Sequence, residues 1–230
     1  MTRSARQRRR VASLLLLMCA CVLPGCAAAG APGDAAGQGA TADHGAAIIV
    51  TPAAPGGLHG AVLDEPWRVP PVTLVDTNGR PVGLREDTAA ALTLVFFGYT
   101  NCPDVCGLVL ADMASALHRV DPAVRSEVSV LFVTTDPARD SGPVMRTYLD
   151  RFDPRFQGLT GPLPRIKRLA SALKVPLEGH HRLPSGGYEV GHGAQIIGVS
   201  PDHAASVVWT PRTPVAHLAS DITALVSRRS

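Results

Sequence analysis

Hydrophobic positions along this chain alternate between two kinds of pattern. Thr93-Leu94-Val95-Phe96-Phe97 is an unbroken apolar run closed by Gly98, as expected of a strand buried on both faces. Pro103 suits a first helical position, and Val109, Met113, Leu117 and Val120 follow at helical spacing with Ala116 between them. Val128 to Val133 predicts a second buried strand, closed by Thr134-Thr135-Asp136-Pro137. Pro143 to Phe152 predicts a helix with Ser141 as its cap, and Ile166 to Leu173 a further short one. Ala194 to Val199 and Ala205 to Trp209 read as two strands joined through Pro201-Asp202. Thr213-Pro214 then opens a last helix running to about Val226. Upstream, Val72 to Val75 and Pro81-Val82 flank Asp76-Thr77-Asn78-Gly79-Arg80, and Asn-Gly between short strands signals a hairpin. The sum is an α/β sandwich, with a central mixed β-sheet flanked by helices and an N-terminal β-hairpin.

The first 59 residues follow a different rule. Arg3, Arg6, Arg8, Arg9 and Arg10 precede the apolar run Val11 to Leu23, and a basic region before a short apolar one is a secretory signal. Leu23-Pro24-Gly25-Cys26 resembles the lipobox of bacterial lipoproteins, which implies a signal peptide over 1–25 and acylation of Cys26. An uncleaved anchor or soluble export would also place the body outside the cytoplasm, and both general and twin-arginine export stay open. Residues 26–59 are dominated by Ala, Gly and Pro and read as a flexible tether, in which His44 and His59 are expected to be solvated. The folded domain is expected over 60–230.

Composition narrows the function. With 46% apolar and 18% charged residues a buried core is expected. The net charge of +3 belongs to the leader, since residues 26–230 sum to −2, and a mildly acidic body without a basic stripe is not a nucleic-acid binder. Of five cysteines, Cys19 and Cys21 fall in the signal and Cys26 at the lipobox, leaving Cys102 and Cys106 to the domain. A bridge between them would close a short loop worth only about 2 kcal/mol. Chemistry is the better reason for the pair.

Cys102-Pro103-Asp104-Val105-Cys106 falls where the first buried strand is expected to become a helix. Cysteines four apart on a helix share a face, and in a first turn the macrodipole favours thiolate over thiol. The stretch Phe96-Phe97-Gly98-Tyr99-Thr100-Asn101-Cys102-Pro103-Asp104-Val105-Cys106 resembles the signature of the Sco/SenC family, and Val133 to Asp140 is similar to its second block. The resemblance spans roughly residues 66–227. It implies a membrane-anchored, thioredoxin-like copper chaperone serving the dinuclear copper centre of cytochrome c oxidase. It further implies Cys102, Cys106 and His192 as metal ligands, holding one copper per chain. Two thiolates and an imidazole suit Cu(I) or thiolate-bound Cu(II). Asp136 is expected to orient a ligand from behind the site or merely to turn the chain, and Asp140 also matches a family position. Gly107, Asn101 and Gly193 depart from the family pattern, and Gly191 and Gly193 are expected to loosen the His192 loop. His180-His181 reads as an exposed loop pair, and Met113 and Met145 as core.

The expected partners are the oxidase's copper-centre subunit, a copper donor, a thioredoxin-like reductant and the membrane. A metallochaperone needs no catalysis in the enzymatic sense. The rival is a thiol–disulfide oxidoreductase that reduces the client's cysteines through Cys102 and Cys106. A peroxide-reducing enzyme would need a peroxidatic cysteine setting that the sequence does not offer.

Overall fold

The computed structural model describes residues 57–87, 90–182 and 188–228. The expected signal peptide, Cys26, His44 and nearly all of the tether lie outside them. The elements are, in order, β1 (Ala61–Arg68), β2 (Thr73–Asp76), β3 (Pro81–Gly83), β4 (Leu92–Gly98), α1 (Val105–Arg119) and α2 (Pro122–Ser126). They continue with β5 (Val128–Thr134), α3 (Gly142–Leu149), β6 (Gln157–Thr160), α4 (Leu163–Ala172), β7 (Leu177–Arg182), β8 (Tyr188–His192), β9 (Ile196–Val199), β10 (Ala204–Trp209) and α5 (Val215–Ser227).

Eight strands form one mixed sheet in the order β1-β10-β9-β4-β5-β6-β2-β3, in which β4, β5 and β6 run parallel and the other pairings are antiparallel. All seven residues of β4 are buried, because its side chains feed two separate cores. Leu92, Leu94 and Phe96 pack on one face with Val109, Met113 and Leu117 of α1, Met145 and Leu149 of α3, and Leu218 and Ile222 of α5. Val95 and Phe97 pack on the other with Ile166 and Leu169 of α4. This two-sided burial is what the unbroken apolar run predicts, and the sandwich is thioredoxin-like, as the family resemblance implies. Met113 and Met145 are core residues, as expected. The β2–β3 hairpin is also as expected, with Gly79 in the left-handed region at φ +81° and the Asp76 carboxylate accepting from Asn78 and Arg80.

Several expectations change. Residues 61–68 form a strand, β1, that pairs with β10. α4 starts three residues earlier than expected, at Leu163, and α3 ends at Leu149 rather than Phe152. Ser141 sits at the N-cap of α3 without a side-chain capping bond. His59 is not merely solvated. Its backbone N–H and that of Gly60 donate to the buried Asp221 carboxylate, its Nδ1 lies 2.9 Å from the same group, and its ring stacks on His217 at 3.8 Å. Trp209 Nε1 donates to Asp221 as well, so one carboxylate fixes the point where β1 begins.

Candidate metal centre

β4 is one of the central strands of the sheet, and its C-terminal end is where the chain must turn back into α1. The turn Tyr99–Asp104 does this, with Cys102 N donating to the Tyr99 carbonyl. Helix α1 begins only at Val105, two residues beyond Pro103. Cys102 therefore lies before the helix, not on its first turn as expected, and only Cys106 is helical. The loop brings the sulfurs together all the same. Cys106 is fully buried and Cys102 half-buried.

His192 reaches them from a separate two-stranded sheet, β7–β8. It is the last residue of β8, where the sequence suggested a loop. Gly191 pairs with Gly179 across the hairpin and Gly193 N donates to the Pro176 carbonyl, so both glycines expected to loosen this segment have backbone partners within it. His192 Nδ1 is 2.9 Å from the Gly193 carbonyl, which can only accept, so Nδ1 carries the proton. Nε2 is then the nitrogen turned toward the cysteines, 3.4 Å from Cys106 Sγ. Tyr99 and Phe96 meet the imidazole edge-on, with centroids at 5.7 and 6.4 Å, and fix the ring plane. The two sulfurs and one imidazole nitrogen all lie within 4.8 Å of one another.

The thiols are not equivalent. Cys102 is held down at about 4, chiefly by the hydrogen bond from the Cys106 thiol, with His192 and the backbone N–H groups of Asp104 and Cys106 adding to it against the cost of burial. Cys106 is pushed far up, by that same bond to Cys102 and then by burial. The pair loses one proton readily and keeps the other.

The β5–α3 turn supports both arms. Asp140, wholly buried, accepts from Thr100 N, Thr100 Oγ1 and Thr134 Oγ1 at 3.1, 2.6 and 2.6 Å, which pins the loop two residues before Cys102. Asp136 is also buried but touches no ligand. It accepts from the Tyr188 hydroxyl at 3.0 Å and pairs with Arg139. Arg139 and Tyr188 were not distinguished by sequence reasoning, although Asp-x-x-Arg-Asp at the end of a buried strand was a usable signal. His181 is exposed, in strand β7 rather than in the expected loop, and belongs to no metal-binding cluster among the described residues.

A thioredoxin-like sandwich with two thiols and an imidazole converging at the end of a central strand defines a class of proteins built around a paired-cysteine site. The SCO1/SenC family model matches residues 64–227. Copper-bound ScoI of Bradyrhizobium japonicum superposes with a TM-score of 0.62 at 28% identity, covering 69% of this chain and 99% of that one. Apo Sco1 of Thermus thermophilus gives 0.65 at 30% identity, covering 73% and 96%. The Sco1 protein of Schizosaccharomyces pombe is 35% identical over 115 residues, which are 50% of this chain and 43% of the yeast protein. This chain belongs to the SCO1/SenC family.

Proposed function

We propose that this protein is an extracytoplasmic copper chaperone, holding one copper through Cys102 Sγ, Cys106 Sγ and His192 Nε2 and delivering it to the dinuclear copper centre of cytochrome c oxidase. The convergence of those three atoms carries the reading. Two soft sulfurs and one imidazole select copper over the harder divalent cations, and the Nδ1–H bond to Gly193 supports it by leaving Nε2 free. Copper is cargo here, so the site must also give it up. Half-burial of Cys102 leaves one ligand within reach of an incoming client thiolate.

The reduced protein should take up one copper per chain, and His192→Ala should weaken binding sharply while leaving thiol exchange intact, because exchange needs only the sulfurs. Copper affinity equal to that of the parent in His192→Ala would remove the third ligand from the reading.

A second reading, thiol–disulfide exchange with the client's cysteines, is supported by the contrast between Cys102 and Cys106. A half-exposed thiolate beside a buried neutral thiol suits attack by one and resolution by the other. Rescue of oxidase activity in Cys102→Ser cells by excess copper favours delivery, and rescue by added thiol reductant favours exchange. Outside the cytoplasm the pair drifts toward a disulfide, so loading also needs a reducing partner. The lipobox-like Leu23 to Cys26 supports attachment to the membrane through an acyl chain on Cys26. Cys26→Ala should then release the protein from the membrane or leave it unprocessed, and a mature N-terminus elsewhere by mass spectrometry would sink the lipid anchor. Among the described residues no helix is long and apolar enough to cross a membrane.

A further inference from the structure

The strand that carries His192 shares no ladder with the main sheet. β7 and β8 pair only with each other, and their register runs from Leu177↔His192 to Arg182↔Tyr188. The imidazole therefore owes its position over the cysteines to side-chain contacts between this arm and the body.

Apart from the Tyr99 and Phe96 rings that meet the imidazole itself, those contacts converge on Arg139. Its guanidinium lies over the Tyr188 ring, 3.7 Å from the centroid, and also faces Tyr99 at 5.6 Å. Tyr188 stands four residues before His192, and Tyr99 three before Cys102. One planar cation thus touches the roots of both ligand-bearing segments. Arg139 Nη1 donates to the Tyr188 carbonyl at 3.2 Å, and Nε donates to Asp136, whose carboxylate also accepts from the Tyr188 hydroxyl. Asp136 is almost fully buried and Arg139 mostly so, which strengthens each of these polar contacts.

We propose that Arg139 is the positioning residue that holds the His192 arm closed over the cysteine pair, and that releasing it turns a three-ligand copper site into a two-thiolate one. The proposal deepens the copper-chaperone reading and rests on it. No bond within the protein is made or broken in the step. The bond lost is copper to His192 Nε2, the nitrogen keeps its electron pair, and the ion stays on two sulfurs with one coordination position open to an incoming thiolate. A guanidinium suits this role better than an ammonium, because it stacks on aromatic faces while its edge donates in two directions at once. A partner that competes for the Tyr188 ring, the Asp136 carboxylate or Arg139 itself would open the arm.

The test is a double-mutant cycle on the reduced full-length protein, reading Cu(I) affinity by competition with a chromophoric Cu(I) chelator. Arg139→Met should weaken copper binding about tenfold when His192 is present, the range seen for groups that orient metal ligands. In a His192→Ala background the same change should have no effect. With Cu(II), Arg139→Met should also shift the thiolate-to-copper absorption band toward that of His192→Ala. Arg139→Lys keeps the charge but not the planar stack, so it should fall between, and it provides the reading if the Met variant does not fold. Wild-type affinity in both Arg139 variants would overturn the proposal. So would an equal loss in both backgrounds, since that would make Arg139 a support of the cysteine loop or of the fold. If His192→Ala alone left affinity unchanged, the three-ligand reading would fall and take this proposal with it.

Discussion

Cys106 Sγ and His192 Nε2 lie 3.4 Å apart although 86 residues separate them in sequence. One sits in the first turn of a helix fed by a fully buried strand, the other on a hairpin outside the main sheet. Their contact joins two independently built pieces. The properties of the site therefore depend on how each piece is held.

The cysteine pair should react unequally and over an unusual pH range. With Cys102 held at about 4, its thiolate persists well below neutrality, whereas Cys106 stays protonated. Iodoacetamide should modify Cys102 first, with a rate that stays nearly flat from pH 8 down to about pH 5 and drops below that. Mass mapping of the alkylated peptide reads the order. A rate that climbs steadily between pH 7 and 9, as for an ordinary thiol, would contradict the assignment.

Asp140→Ala should cost both stability and loop order. The change strands Thr134 Oγ1 in a buried site and removes the partner of Thr100 Oγ1 and Thr100 N in a half-buried one. A loss of about 3 kcal/mol is expected, roughly 10 °C in melting temperature for a domain of this size. Cys106, now less shielded, should also become accessible to alkylation. A melting temperature within a degree or two of the parent would show that the network adds nothing.

Acid should unfold the domain through its buried carboxylates. Burial works against the charge of Asp153, but bonds from the Arg155 side chain and backbone and from Arg125 outweigh it and hold the carboxyl at about 2. Asp221 is also lowered, with bonds from His59, Trp209 and Gly60 overcoming its burial. An unfolded aspartate titrates near ~3.9, so between pH 4 and 2 the unfolded state binds protons that the folded state refuses. These contributions are complete above pH 4 and lost as pH falls through the folded values. Asp153 alone supplies about 2 kcal/mol. Denaturant midpoints measured from pH 6 to 2 should fall less steeply in Asp153→Asn than in the parent, and parallel curves would exclude this origin.

Gly98→Ala should disturb the site from beneath. A Cβ there would stand 2.8 Å from the Phe132 ring and 3.1 Å from Cys106 Sγ. Relieving that overlap moves the sulfur or the ring, at about 1–3 kcal/mol. The thermal midpoint should drop, and reduced Cys102 should lose reactivity at pH 6 as the bond from Cys106 lengthens. Unchanged values for both would mean that the strand end yields freely.

Elements with strong periodicity and two-sided burial were legible from the residues alone. The β4 and β5 runs and the α1 stripe at Val109, Met113 and Leu117 are such cases. β1 was not, because Asp64, Glu65 and Pro66 interrupt it and its pairing with β10 is irregular between Val62 and Trp67. β6 is only four residues long, and Gly158 lies within it. The β7–β8 hairpin hides behind Gly179 at φ +87° and the polar His180-His181. The two cysteines stood out by their context, and His192 by family position. The residues that aim them did not, since Arg139 acts through ring faces and a carbonyl, and those partners are set by tertiary packing.

The register of the sheet puts one more constraint on use of the site. Trp209 lies opposite Ile196, and Ile196 opposite Phe96, so the end of β10 that Asp221 clasps is level with the end of β4 that leads to Cys102. Ala61 pairs with Val208 on that same level. The polypeptide thus arrives at the sulfur-bearing rim of the sheet, three strands or roughly 14 Å across from β4, and not at the opposite rim. Any change that lengthens or stiffens the segment at His59 and Gly60 therefore acts on the rim that carries Cys102 and Cys106, not on the far side of the sheet.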